Sequence, residues 1–291
     1  MVARELGRGS QSIVHAAFDE RAHAWRALKL LLPQDGSDTI RRAAAGKRLQ
    51  QELAHVRRLD HPGIVRVHDS GETRGLHWLT MELLPGTDLT RYTRPSRRLP
   101  APVVAAIGAR LAEALAHAHG AGIVHRDLKP ANVIIDWASD RVVITDFGLA
   151  RSAGAERTRT GLVLGSPAYM APELLAGQTP SPASDLYALG VLLFQLLAGR
   201  LPYDAPGLGE LLRAVATAPV PALSPLMPPP HDPQLPALEA VVTSLLAKSP
   251  EARPDAAATA RALRALLPLP VAADAAGVAP ADGQKSRGLP D

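Results

Sequence analysis

Cysteine is absent from the 291 residues, which excludes disulfides, thiolate zinc sites and cysteine nucleophiles together. Aromatic residues are scarce at 3%, so the core has to be assembled from Leu, Val, Ile and Ala. Lysine is scarce as well: only Lys29, Lys47, Lys129, Lys248 and Lys285 stand among 32 basic residues. Arg is a planar fork and Lys a compact point charge on a flexible stem, so a retained Lys marks a place where the fork does not serve. The formal charge of +4 is a small difference between 32 basic and 28 acidic residues, and no basic run exceeds two residues. No nucleic-acid partner is therefore expected. The most apolar uncharged stretch, Leu186 to Gly199, has 14 residues, short of the roughly 20 that span a bilayer. It reads as a buried helix, and no membrane span is expected. The chain does not open on a charged head and an apolar run, so no secretory signal is expected and a cytoplasmic setting fits.

What is present changes character once along the chain. Short β-type runs (Ile13 to Phe18, Trp25 to Leu31, Val65 to His68, Trp78 to Met81) and one helical stretch, about 41–59, fill the first part. After Pro85-Gly86 the pattern is mainly helical. Val103, Ile107, Leu111, Leu115 and Ala118 recur on one face, a helix is expected over about 209–218, and Asp255 caps a last helix running to Leu267. The expected architecture is α+β and bilobal: a β-rich first lobe with its hinge over 1–84, a helical lobe over 85–268, and a disordered Ala-Pro-Gly tail over 269–291. A cleft between two such lobes is a common ligand site. Ten of the 27 prolines fall between Pro202 and Pro236 and read as structural loop. Only six residues precede Gly7, so the first strand is expected to be short.

The chemistry-bearing residues lie in separate segments. Gly7-Arg8-Gly9-Ser10-Gln11-Ser12-Ile13-Val14 is a glycine-rich turn between β-type runs. Glycine lets backbone N–H groups approach phosphate oxygens, although a plain hairpin gives the same pattern. Lys29 interrupts the apolar run 27–31; a cation there is costly to bury unless it meets an anion, and Glu52 is the candidate partner. His125-Arg126-Asp127-Leu128-Lys129-Pro130-Ala131-Asn132 is the most informative stretch. It supplies a carboxylate to take a hydroxyl proton, a cation for a transferring phosphoryl group, and an oxygen ligand for Mg²⁺. A return strand over 141–145 then delivers Asp146-Phe147-Gly148, 19 residues after Asp127, where a second carboxylate can hold the metal.

With these motifs in order, the chain resembles the eukaryotic-like serine/threonine protein kinases of bacteria from about residue 2 to 267. The resemblance implies transfer of the ATP γ-phosphoryl group to Ser or Thr hydroxyls of protein substrates, with Mg²⁺, or Mn²⁺ in its place. It assigns Gly7, Gly9 and Val14 to the phosphates and adenine, and Lys29, paired with Glu52, to the α- and β-phosphates. Met81 would flank the adenine pocket, with Glu82 and Leu84 offering hinge backbone groups. Asp127 would orient and deprotonate the acceptor hydroxyl, Lys129 steady the γ-phosphate, and Asn132 and Asp146 bind the metal. Arg126 would dock a phosphate on the activation segment, where Thr158 and Thr160 are the candidate sites of autophosphorylation, for which a transient dimer would suffice. Ala171-Pro172-Glu173 resembles the segment's end, with Glu173 paired to Arg253, and Asp185 resembles the buried helix cap that anchors the catalytic loop.

A catalytically silent nucleotide-binding scaffold would show degraded motifs, and none of the five principal residues is replaced. A small-molecule phosphotransferase would lack the Ala-Pro-Glu segment and Asp185. His117 and His119, two apart on a helix, do not share a face and make a poor metal pair. The four arginines between Arg91 and Arg98 read first as a solvated rim and second as a substrate-docking patch.

Overall fold

The computed structural model describes residues 1–9, 12–32, 53–147, 167–227, 229 and 232–267. Five antiparallel strands form the first lobe: β1 (Val2–Arg8), β2 (Ser12–Asp19), β3 (Ala24–Leu31), β4 (Val67–Thr73) and β5 (Leu76–Glu82), in the spatial order β1-β2-β3-β5-β4. The central strand β3 and its neighbour β5 are rich in Leu, with Ala, Trp and Met, and alternate buried with partly exposed positions. Ala27, Leu79 and Met81 turn inward and are buried. β1 has seven residues and pairs with β2 from Val2 to Arg8, so the expected short first strand is corrected. The run expected at Val65 to His68 is displaced as well. Val65 donates its N–H to the Ile144 carbonyl at 3.0 Å, and Arg66 accepts from the Glu82 N–H at 2.9 Å. The strand proper then continues over polar Asp69 to Thr73, on the sheet's edge, where no apolar period marks it. Of the helix expected over 41–59 only the end is described: residues 53–56 are helical, with Leu53 and Val56 buried.

The second sheet comprises β6 (Thr87–Asp88), β7 (Val133–Asp136) and β8 (Arg141–Ile144). Its strand β8 packs against α1 (Ala101–Gly120), and the described residues of this lobe also form α2 (Pro172–Leu175), α3 (Pro182–Ala198), α4 (Leu208–Thr217), α5 (Leu235–Leu245) and α6 (Ala256–Arg264). α3 is the stretch expected to be buried, and it is apolar on every side, as an enclosed helix should be. Ser184 Oγ accepts from the Ser181 N–H (3.1 Å) at its start, and Gly199 closes it in the left-handed region at φ 69°. α1 buries Val104 rather than Val103 along with Ile107, Leu111, Leu115 and Ala118, because partners enclose it on more than one side. Among the described helices α1 alone has the length and apolarity to cross a membrane, with 61% of its most apolar window buried inside the fold. Asp255 accepts from the Ala258 N–H at 2.6 Å and starts α6 as expected, although the helix ends at Arg264.

The lobes meet through two backbone connections. Ile64 and Val65 lie along β8, where Ile144 donates to the Gly63 carbonyl at 2.8 Å. The hinge leads into Gly86 at φ 103°, and a Cβ there would lie 2.2 Å from the Ile135 carbonyl oxygen. Only glycine lets the chain leave the hinge so close to β7. Glu82, at the end of β5, receives Arg141 of β8 at 2.7 Å, a charge pair across the same joint that holds the guanidinium's proton more tightly.

In the helical lobe Lys248 donates to the Tyr203 hydroxyl (2.8 Å) and the Val215 carbonyl (2.6 Å). Burial, helped by the nearby charge of Arg253, pulls it down to about 8. Between about 8 and the ordinary lysine value of about 10.4 the unfolded chain binds more protons, so stability rises with pH there and is lost as pH falls through about 8. Burial pushes Tyr169 and Tyr203 up to about 12, so above about pH 10 the unfolded tyrosines ionise first and stability declines. A maximum near pH 9–10 is expected, with a rise on its acidic side of about 1–2 kcal/mol after allowing for solvent screening. Urea midpoints measured from pH 7 to pH 10 should show that rise in the parent and not in Lys248→Met; parallel curves would rule it out.

Candidate active site

Between the lobes lies a cavity of about 1060 Å³ whose walls include Val14, Ala27, Val65, Met81, Leu84 and Ile134. This apolar slot continues past Ala131 and Thr145 to Asp146 at its inner end. Gly7 stands at its roof, and a Cβ built there meets nothing within 4 Å. Gly7 sits at a register shift of β1 against β2, where glycine is common, and the open space over it leaves room for a ligand to approach the backbone. Gly9 receives no place in the wall; its N–H donates to the Ser12 carbonyl at 2.8 Å and closes the hairpin tip.

Lys29, on β3, is buried, and its ammonium lies 2.7 Å from Asp146 Oδ1. The anion required to bury it is therefore Asp146 in this structure. Glu52 lies outside the described residues, as do Gly148, Thr158, Thr160 and the tail over 269–291. Asp146 itself adopts φ 65°, a left-handed conformation that Asp tolerates better than most residues. Glu82 lines the cleft at the hinge; its N–H is taken by the Arg66 carbonyl and its carboxylate by Arg141, so any backbone group it offers there is its carbonyl. Leu84 differs, since its backbone groups meet no partner among the described residues.

The loop from His125 to Asn132 runs between α1 and β7. Lys129 donates to Asp127 Oδ2 at 2.7 Å. Asn132 Nδ2 donates to the Asp127 carbonyl at 2.7 Å and to Oδ2 at 3.1 Å. Both of those partners can only accept, so the amide nitrogen has to face them and Asn132 Oδ1 is left pointing to the other side. Asp127 Oδ1 accepts no hydrogen bond among the described residues. One carboxylate oxygen is thus pinned and the other is available.

Three residues that sequence reasoning gave no separate role hold this geometry. His125 is fully buried, with Nε2 2.8 Å from the Thr145 carbonyl and Nδ1 accepting from the Asp127 N–H at 3.2 Å. That pattern fixes the neutral tautomer with its proton on Nε2. Its ring also meets Phe147 edge-on at 4.7 Å, joining the loop to the segment that carries Asp146. Thr145 donates its N–H to the Asn132 carbonyl at 2.8 Å. His119 bonds Asp185 at 2.9 Å, so its position on α1 serves the loop. The signal for all three was weak, because each acts through a partner distant in sequence.

Asp185 is buried in the first turn of α3, and its carboxylate accepts from the N–H groups of His125 (2.8 Å) and Arg126 (2.9 Å). It anchors the loop; the cap of α3 is Ser181 with Ser184, a correction to its description as the helix cap. The anchoring has a purpose, since Arg126 sits at φ 74°, a conformation that costs about 1–3 kcal/mol and persists only when its surroundings impose it. Further off, Glu173 and Arg253 form a buried double contact at 2.6 and 2.8 Å. Among the described residues no group of three or more His, Cys, Asp or Glu forms a metal cluster.

The model of the protein kinase domain matches residues 1–262. The serine/threonine-protein kinase PknD of Mycobacterium tuberculosis is 38% identical over 251 residues, covering 86% of this chain and 37% of that protein. PknJ of the same species is 37% identical over 259 residues, covering 87% and 42%. PkaB of Streptomyces coelicolor is 36% identical over 285 residues, covering 95% and 64%. The chain thus spans about a third to two thirds of the length of these relatives. With the family model matched over nearly its whole length and the motif residues gathered around one interlobe cleft, the chain belongs to the protein kinase family.

Proposed function

We propose that the chain is a serine/threonine protein kinase, which transfers the γ-phosphoryl group of ATP to hydroxyls of protein substrates. The observation that supports it most directly is the division of labour on Asp127: Oδ2 is fixed by Lys129 and Asn132, and Oδ1 is left available. In the proposed step the acceptor oxygen bonds to the γ-phosphorus as the bond to the β–γ bridging oxygen breaks. ADP leaves with that electron pair, and the hydroxyl proton passes to Asp127 Oδ1. Lys129, within reach of the same carboxylate, places a positive charge where the γ-phosphoryl group would pass. Lys29 would leave Asp146 for the α- and β-phosphates, with Glu52 as its partner in that state. Val14, Ala27 and Met81 would enclose the adenine, and the unpaired backbone of Leu84 would meet its polar edge.

Asn132 Oδ1 and the second oxygen of Asp146 are hard donors without partners among the described residues, which suits a hard divalent cation. Mg²⁺, or Mn²⁺ in its place, would be held by these two residues and, when bound, would neutralise charge on the phosphates. The preference for Ser and Thr rests on Lys129 in the Asp-Leu-Lys-Pro-Ala-Asn loop and on the names of the relatives. Autophosphorylation at Thr158 or Thr160, read by Arg126, and a cytoplasmic setting belong to the same proposal.

The test is incubation with Mg-ATP and generic protein acceptors, followed by phosphosite mapping. Phosphate is expected on Ser and Thr, including Thr158 or Thr160. ATP binding without transfer would sink the reading, and phosphate on Tyr alone would sink its specificity.

A further inference from the structure

Just past the hinge the chain makes two short turns, Leu89–Tyr92 and Pro95–Arg97. Together with the β7–β8 turn they enclose a second hollow of about 710 Å³. It lies outside the nucleotide cleft but shares Gly86, Thr87, Arg91 and Arg97 with it. A chain leaving the cleft at the hinge end would run directly into it. Arg91, Arg97 and Arg98 line this hollow and Arg94 stands at the cleft's margin. None of the four has an ion-pair partner among the described residues. The one carboxylate in the wall, Asp136, is turned to its own loop, accepting from the Ser139 hydroxyl and the Ala138 N–H.

Two features distinguish this surface from a solvated rim. Trp137 is 51% exposed at the lip, yet its ring is fixed: Nε1 donates to the Tyr92 hydroxyl at 2.7 Å and the two rings meet edge-on at 5.9 Å. A large, immobilised, half-exposed aromatic ring is what binding surfaces use as an anchor. The arginine loop is fixed as well. Leu99 donates to the Leu196 carbonyl at 3.0 Å, and Gly199 lies so close that a Cβ on it would approach the Pro95 nitrogen to 2.4 Å. Charges on a pinned loop lose little entropy on binding.

We infer that this hollow docks an acidic segment of the protein substrate, with carboxylates facing the arginines and an apolar or aromatic side chain against Trp137. The charge pattern selects the partner's sign and the ring selects its apolar residue. The inference rests on the kinase reading and adds a substrate preference to it.

The experiment uses three peptides with one Ser/Thr acceptor core, extended by an acidic-aromatic, a neutral or a basic segment. The acidic peptide is expected to have a KM about five- to tenfold below the neutral one, as two exposed ion pairs and an aromatic contact would give. Its kcat and the KM for ATP should not change, and raised salt should shrink the advantage. Arg98→Glu and Trp137→Ala touch only the second hollow. Each should abolish the advantage while leaving turnover of the neutral peptide intact, and Arg98→Glu should favour the basic peptide. Equal KM values in the parent, or an advantage that survives both variants, would overturn the inference. So would a matching change in the KM for ATP, or equal competition by an oligonucleotide. If no peptide is phosphorylated, the kinase reading fails instead, and anisotropy of labelled acidic and neutral peptides on the full chain still decides the docking site by the same criteria.

Discussion

Asp127→Asn is expected to lower kcat by about two to four orders of magnitude, the usual range for removing a positioned proton acceptor, while leaving nucleotide affinity within about twofold. The asparagine keeps the shape of the aspartate and one oxygen to accept from Lys129 (2.7 Å) or Asn132 (3.1 Å). The loop should therefore stay folded and lose only the carboxylate's basicity. Asp146→Asn should behave differently. It removes the anion 2.7 Å from the buried Lys29 and one of the two donors assigned to the metal. Mg-ATP binding is expected to weaken by about tenfold or more, roughly 1.4 kcal/mol, and the protein without nucleotide should lose stability, since a buried cation is left unpaired. Single-turnover rates with calorimetric titration of nucleotide, with and without metal, separate the two. Matching effects of both variants on binding would remove the distinction between proton acceptor and metal ligand.

How much of this was legible in the sequence depended on how local each signal was. The catalytic loop could be read because Asp127, Lys129 and Asn132 fall within six residues, and their mutual hydrogen bonds need no distant partner. α3 and the Asp255 cap were legible for the same reason. β1 carried no signal of this kind: it is exposed along its whole length, so its residues show no buried face. The extension of β4 over Asp69 to Thr73 was hidden for a related cause, since an edge strand is held by backbone pairing that polar residues provide equally well. Lys29 was recognised as needing an anion, but nothing in its apolar run says which carboxylate lies across the cleft. Asp146, 117 residues away in the sequence, is set beside it by the joining of the two sheets at Ile64 and Ile144. The His119–Asp185 and Glu82–Arg141 contacts also span more than fifty residues. The arginines between 91 and 98 were visible as charge. Their placement on a pinned loop beside Trp137 was not, because it depends on Gly199 and on the turn after β7.

The largest expected loss of stability comes from the other buried charge pair. Every donor of the Arg253 guanidinium is used: Nε bonds the Ala247 carbonyl, Nη1 bonds Glu173 and the Ala183 carbonyl, and Nη2 bonds Glu173 and the Lys248 carbonyl. Its plane also lies 5.0 Å from the centre of the Tyr187 ring. One side chain thereby ties the end of the activation segment to the start of α3 and to the loop before α6. Arg253→Lys keeps the charge but offers three donors from a single point, so it cannot reach carbonyls on opposite sides. Two or more of the carbonyls of Ala183, Ala247 and Lys248 would lose their donor, at about 1–3 kcal/mol each, so the loss is expected to be about 3–5 kcal/mol, a large share of the roughly 5–15 kcal/mol typical of a folded domain. Replacing both partners by apolar residues is often harmless for an isolated ion pair. Here Glu173→Leu with Arg253→Met should not restore stability, because the carbonyls of Ala183, Ala247 and Lys248 would be left buried without a donor. Glu173→Gln keeps those three contacts but leaves the buried guanidinium without its anion, so it should cost as much as Arg253→Lys, about 3–5 kcal/mol. Urea unfolding of the three variants at one pH tests these losses; a double variant as stable as the parent would mean that the carbonyl contacts contribute nothing and that the pair is held for its charge alone.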